Sequence, residues 1–310
     1  MFSYVIKRIL AAIPIGIGVV TVVSLMIHTI PGDPVDIILG EFATGEERQA
    51  LRSQLGLDLP LLDQWLSYLS NIARGDLSDS LIYNRPVLEL IGERILPTLE
   101  LACLSILLAL FLSIPIGIVS ALNKGKKIDF IAMTASLVGV AMPNFWLGPM
   151  LILLFSLKLE FFPVSERIDF SSYVLPSITL GSALAAILSR MTRNSMLDTL
   201  NEDFIRTARA KGHTELSVIG KHALRNASLP LVSLIGLQFG VLLTGAVITE
   251  KIFDWPGLGS LILEGLGQRD YPLVQGCVLV FSFSYLIVNL VTDISYVVID
   301  PRIKLDRRKQ

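Results

Sequence analysis

The residues able to do chemistry in this chain are few and scattered. Three histidines, His28, His213 and His222, read as interfacial polar residues, because no Cys/His cluster has metal-ligand spacing. No Gly-x4-Gly-Lys-Ser/Thr loop is present, so no phosphate cradle for ATP is expected. No Gly-x-Ser-x-Gly elbow or His/Asp/Ser set points to hydrolysis. What does stand out is a polar island between two apolar runs, from Asp203 to Pro230. It is long, basic and helical in pattern. Phe204, Ile205 and Ala208 share one helical face, while Arg206, Arg209 and Lys211 supply charge and Gly212 is placed to end the helix as its C′ residue. That chemistry is docking chemistry, suited to something soluble gripping a membrane domain from one side. A helix lying on anionic lipid is the other reading, but its apolar face would be short.

The elements that must carry the island are membrane spans. Apolar residues make up 52% of the 310, and charged ones only 17%, against about 25% in soluble domains. Six charge-poor runs approach the length of a bilayer-crossing helix, at 9–30, 99–121, 130–157, 173–190, 229–249 and 273–299. Helices are expected because lipid offers the backbone no partners and the runs do not alternate as barrel strands do. The first run, behind Lys7 and Arg8, is too long for a cleaved signal and reads as a retained anchor. Cys103 and Cys277 both fall in spans as lone apolar residues.

Orientation follows from the cations. An inside amino terminus places 17 of the 26 Lys and Arg residues in the cytoplasm. The predicted layout is an amino-terminal helix (1–30), an extracytoplasmic segment (31–98), a membrane domain (99–299) with an inner loop at 191–228, and a cytoplasmic tail (300–310). Both termini are then inside. Within 31–98, Thr44-Gly-Glu-Glu47 predicts a capping box and a short helix closed by Gly56. Pro60 predicts a second helix closed near Gly75. The segment carries eleven acids against five arginines, which suits a solvated cap or a docking surface.

The third span is irregular. Pro143, Asn144, Phe145, Trp146, Gly148 and Pro149 interrupt about 28 apolar residues. Each proline frees a carbonyl that must face protein or a wet cavity, so this stretch is either a packing kink or part of a translocation path. Gln238 and Gly240 on the fifth span are candidates for the same path, with Gly236, Gly240 and Gly245 allowing close helix approach. The fourth span is short and ends at Arg190. Glu100 and Glu250 lie at outer ends, and Asp293 toward an inner end. With few ionisable groups at mid-membrane, a proton- or sodium-coupled carrier is disfavoured and the energy must come from elsewhere.

These strings together resemble the binding-protein-dependent ABC importer permeases, and within them the B-type subunit of the peptide/opine/nickel family. The resemblance rests on Arg206-Thr207-Ala208-Arg-Ala-Lys-Gly212, His222-Ala-Leu-Arg-Asn226, Gly236-Leu-Gln-Phe-Gly240, Glu250-Lys-Ile-Phe-Asp-Trp-Pro-Gly-Leu-Gly259, Arg269-Asp-Tyr-Pro272 and Asp293-x2-Tyr296-x3-Asp300-Pro-Arg302. Pro31-Gly-Asp-Pro34 and Gly75-Asp-Leu-Ser78 also fit, so it covers nearly the whole chain. It implies an all-α integral membrane protein of the type I importer permease fold, in a bacterial inner membrane. It implies import of peptides, glutathione-like solutes or, alternatively, nickel chelates. It further implies a homologous second permease, two ATPase subunits holding ATP and magnesium, and an external solute-binding protein. This chain would bind no cofactor, metal or nucleic acid and catalyse nothing itself. Phe204 to Gly212 would be the coupling helix, with the Phe204–Ile205–Ala208 face in an ATPase cleft. The runner-up class is an ion-coupled secondary transporter.

Overall fold

The computed structural model describes residues 2–25, 35, 39–40, 43–54, 56–165 and 167–299. His28, the Pro31–Pro34 string, the tail 300–310 and the side-chain surroundings of Lys7, Gly245 and Asp293 lie outside the described residues. Among the described residues there is no strand, only an isolated bridge between Asp79 and Pro86. Long apolar helices dominate, as a lipid-exposed backbone requires.

Among the described residues, four helices are long and apolar enough to cross a membrane alone. They are α1 (Phe2–Leu25), α4 (Val87–Leu122), α7 (Val174–Leu200, with a 3-10 turn before it at Phe170–Tyr173) and α13 (Tyr271–Ile299). Two more spans are possible if bent pairs are counted. The first pair is α5 (Lys127–Ala141) with α6 (Asn144–Leu151) and the π-helical stretch Ile152–Lys158. Its two parts meet at 103°. The second pair bends by 49°. It joins α9 (Glu215–Ser217), a π-helical turn (Val218–Ala223) and α10 (Leu224–Ala227) to α11 (Leu229–Ile252).

Two sequence expectations change. The run 130–157 is not one kinked helix. Met142 and Pro143 are both extended (ψ 117° and 142°), because a residue before proline is pushed out of the α region and proline brings no N–H to continue the ladder. The fourth span does not end at Arg190; its helix runs on to Leu200, so Arg190 and Arg193 are helical residues rather than loop cations.

The chain forms two compact units. The first comprises residues 1–96 and 257–287. It contains α1, α2 (Gly45–Gln54), α3 (Leu61–Ala73), α12 (Leu258–Gln268) and the first part of α13. The predicted capping box is present, with Thr44 N donating to Glu47 Oε2 (2.8 Å) and Glu47 N to Thr44 Oγ1 (3.3 Å). Gly56 and Gly75 both take positive φ at the ends of α2 and α3. The core joins Val20 and Val23 to Leu77, Val87, Ile91, Leu261, Leu273 and Cys277. Gly276 lets α13 touch Val87, since a Cβ there would lie 2.5 Å from Val87 Cγ1. Asp270 is fully buried and caps α13 through Leu273 N (3.2 Å). Its carboxylate also accepts from Ser80 Oγ and from the backbone of Leu81 and Ile82. That explains why Arg269-Asp-Tyr-Pro272 and the segment after Gly75-Asp-Leu-Ser78 belong together.

The second unit comprises residues 97–256 with 288 onward. Its pillar is α7, whose apolar stretch is mostly buried. Glycines bring α4 against it at two levels. A Cβ at Gly181 would be 2.7 Å from the Ser105 carbonyl oxygen, and one at Gly117 would be 2.5 Å from Thr192 Cβ. Both contacts advance in the same sense along both helices, so α4 and α7 run parallel. By contrast α5 runs antiparallel to α7, with Gly139 beside Ala186 and Asp129 beside Arg193.

Candidate functional site: the basic end of the second unit

The polar island folds as α8 (Asp203–Ala210) followed by the α9–α10 segment. The chain leaves α8 through a complete C-terminal cap. Gly212 has φ +80°, Gly212 N donates to Arg209 O (3.0 Å) and His213 N to Ala208 O (3.3 Å). This is the paired bonding of a Schellman motif, with glycine at the left-handed position. Thr214 then caps α9 through Ser217 N, and Arg209 forks onto Glu215 (2.8 and 3.2 Å) across the turn.

The face shared by Phe204, Ile205 and Ala208 is divided. Ile205 is fully buried and Ala208 6% exposed, both in a core with Ala121, Met196, Val218, Ala223 and Ala227. They are held by the chain itself, which corrects the expectation that all three fill a partner's cleft. The reason is local: α8 follows α7 after only two residues and must bury one side against it. Phe204 remains 41% exposed, alongside exposed Arg206, Thr207, Arg209, Lys211 and Gly212. Leu216, 84% exposed, extends this outward surface. His213 and His222 lie side by side with ring centroids 5.1 Å apart. Among the described residues no group of three or more His, Cys, Asp or Glu could hold a metal.

The same core ties Ala121, at the end of α4, to α8. The α4–α5 turn with Lys124, Lys126 and Lys127 therefore sits at the same end as the island, so the cations of these two segments converge there.

A buried ion pair lies just inside this end. Asp129 is 5% exposed. It receives Arg193 Nε at 2.6 Å and Arg193 Nη2 at 2.7 Å, Gly125 N at 2.9 Å and the Ser120 hydroxyl. Four donors satisfy one carboxylate, the condition under which a buried pair is tolerated. Removing one partner from such a pair costs about 3–5 kcal/mol. Sequence reasoning missed it because Asp129 and Arg193 are 64 residues apart and each stands near a run of surface lysines or arginines. A second buried carboxylate, Glu250, accepts from Thr98 Oγ1 at 2.6 Å. It opens a corner in which Asp254 takes φ +49°, Trp255 N reaches Glu250 O (2.8 Å) and the buried Trp255 indole donates to Pro97 O (3.1 Å). Trp255 also meets Tyr173 edge to face at 4.7 Å. Glu100 pairs with Arg167 (2.8 Å) and accepts from Tyr173 Oη (2.7 Å).

The path candidates are distributed along the unit. Pro143 caps α6, its carbonyl taking the N–H groups of Trp146 and Leu147 (3.0 and 2.9 Å). Phe145 is 63% and Trp146 49% exposed, and Asn144 is half-buried. Helix α6 packs on α11 through Gly148, where a Cβ would be 3.2 Å from Ile252 Cγ2. Gln238 and Gly240, both half-buried, lie earlier on α11; at the helical rise Gln238 is about 21 Å from Ile252. On the same helix Gly236 admits Thr292, which a Cβ would meet at 2.4 Å.

Two family models match the chain, together spanning most of it. Residues 1–102 match the amino-terminal part of the binding-protein-dependent transport system membrane component. Residues 113–305 match the binding-protein-dependent transport system inner membrane component itself. This chain belongs to that family. As such it is a multi-pass inner-membrane component of a transport system that works with a binding protein. Among relatives of this transport component, the glutathione transport system permease protein GsiC of Escherichia coli (strain K12) is 43% identical over 304 residues, 98% of this chain and 99% of that protein. GsiC of Salmonella choleraesuis (strain SC-B67) matches to the same extent. A solved structure of the MetNI methionine ABC transporter in an inward-facing conformation superposes with a TM-score of 0.59 at 15% identity, covering 69% of this chain and 97% of that one. At that identity the likeness shows the fold, which is the importer-permease fold expected from the sequence.

Proposed function

We propose that this chain is one permease subunit of an ATP-driven ABC importer for glutathione-like or other short peptides, and forms half of the translocation path. The observation that carries the reading is full-length similarity to the GsiC glutathione permeases, 43% over 98% of the chain. The outward surface of α8 supports the energetic part: Phe204, Arg206, Thr207, Arg209 and Lys211 are exposed toward a soluble partner while Ile205 and Ala208 anchor the helix from below. The partners are two cytoplasmic ATPases holding ATP and magnesium, a homologous second permease and an extracytoplasmic binding protein. Both termini and residues 191–228 are cytoplasmic, and 31–98 face outward, which agrees with the convergence of basic segments at one end. Pro143, Asn144, Phe145, Trp146, Gln238 and Gly240 line the route. The break at Met142–Pro143 supports this, since non-helical backbone at membrane depth is tolerated against protein or water.

The test is uptake of labelled glutathione and a panel of short peptides into liposomes holding the assembled complex, with binding protein outside and ATP inside. Uptake that needs both is expected. Uptake that continues without ATP and follows an ion gradient would overturn the importer reading; a nickel chelate as the only transported solute would overturn the peptide assignment alone.

A further inference from the structure

The coupling role of α8 leaves open how its movement reaches the path, and the buried Asp129–Arg193 pair lies on the line between them. Arg193 is on α7, one turn before Met196, which packs in the same core as Ile205 and Ala208 of α8. Asp129 is in the first turn of α5. From Asp129, α5 runs about 18 Å to Ala141 and the 103° break at Met142–Pro143. Along that length Gly139 touches Ala186 on α7, at 3.2 Å from an added Cβ. So α5 packs closely along α7, through small residues at its middle and through one polar fork at the coupling end.

We propose that the Asp129–Arg193 pair is the mechanical link by which displacement of α8 and the end of α7 is passed to α5, and so to the break beside Asn144–Trp146. The inference rests on the proposed coupling role of α8. Asp129 and Arg193 are positioning residues, not groups that touch solute. Geometry favours a link over a passive filler. The contact is bidentate, so it fixes direction as well as distance. It is largely buried, the Asp129 side chain 7% and the Arg193 side chain 20% exposed, so salt screens it less than a surface pair. The carboxylate is pinned to the α4–α5 turn by Gly125 N and Ser120 Oγ, so α5 cannot swing free of the turn when Arg193 pulls. The break supplies the hinge on which such a rigid segment would turn.

The experiment compares uptake with ATP hydrolysis in liposomes holding the complete complex and binding protein. Wild type is set against Asp129→Asn, Arg193→Gln, Arg193→Lys and Ser120→Ala. In Asp129→Asn and Arg193→Gln, hydrolysis should continue while solute moved per ATP falls by about fivefold or more, within the range of an ordinary allosteric coupling. Arg193→Lys keeps the charge but loses the fork, and should fall between these and wild type. Ser120→Ala keeps the α5–α7 fork but removes one of the two contacts that pin the carboxylate, and should lower the ratio less than loss of the fork does. An unchanged ratio in both charge-removing variants overturns the proposal. A parallel loss of uptake and hydrolysis, with the ratio kept, also overturns it and makes the pair structural. If neither charge-removing variant assembles, Arg193→Lys decides: a wild-type ratio there overturns the link. Failure of the underlying importer reading would show in the wild-type arm alone, as uptake indifferent to ATP.

Discussion

Gly212 offers a test of α8 in which backbone conformation can be separated from packing. Its φ is +80°, and an added Cβ would meet nothing within 4 Å. Any substitution effect is therefore conformational and not a clash. An L-residue held in the left-handed region costs about 1–2 kcal/mol, with Asn and Asp tolerated best. β-Branched residues tolerate it least. The order of damage should be Asn, then Ala, then Val. A cost of that size shifts a local equilibrium by a factor of about 5–30. It falls on the two cap bonds, Gly212 N to Arg209 O and His213 N to Ala208 O. If these open, the end of α8 frays and the surface bearing Arg209 and Lys211 loses its shape. The assay is retention of the ATPase by purified permease complex, with ATP-driven uptake alongside. Gly212→Asn should retain most of both, Gly212→Ala should weaken both, and Gly212→Val should lose most uptake while the permease still inserts. Equal behaviour of the Asn and Val variants would refute the reasoning, because the argument has only backbone conformation to distinguish them.

Other outcomes follow from burial and space. Ala208→Glu places a charge in the Ile205–Met196–Val218 core, so it should lower thermal stability of the permease itself, whereas exposed Phe204→Ala should leave stability within about 0.5 kcal/mol and weaken only ATPase retention. Gly181→Val drives a side chain into the Ser105 carbonyl and should cost about 1–3 kcal/mol or block assembly; Gly220→Ala, with open space around it, is the matched control. The Tyr68 hydroxyl is buried without a hydrogen-bond partner and burial pushes its pKa up to about 12. Tyr68→Phe should therefore be neutral or stabilising by about 1 kcal/mol in a thermal melt. In the wild type, the stability the neutral phenol contributes is complete below the ordinary tyrosine pKa and is lost as pH rises through 12. Glu47 is held below the usual carboxylate range by the Thr44 N–H, and Asp169 by the Ser171 hydroxyl. Their caps should persist above that range and open as pH falls through the depressed values, read as loss of amide protection in residues 45–54 and 170–173 after correction for intrinsic exchange.

What could be read from the sequence was what short-range chemistry decides. The Thr44–Glu47 box, the Gly56, Gly75 and Gly212 caps and the proline-opened α3 all appear where spacing within one turn put them. The apolar runs became helices for an equally local reason, since lipid leaves the backbone no other partner. The 103° turn at Met142–Pro143 was not legible, because proline fixes that a helix must stop but not which way the next one leaves. Nor was the Asp129–Arg193 pair, whose two halves look like ordinary interfacial charges until α5 and α7 are set antiparallel. The instructive case is α8. Positions i, i+1 and i+4 do share a side, and the sequence said so; it could not say whether that side faced a partner or the chain. The connection decides: an eight-residue helix two residues beyond a buried span has no stability of its own and must give its apolar side to the neighbour it is tethered to. Ile205 and Ala208 are consumed in that way. What stays outward is Phe204 and Leu216 among cations, so under the proposed docking role association at this surface should draw on charge for its rate and on these two side chains for its grip.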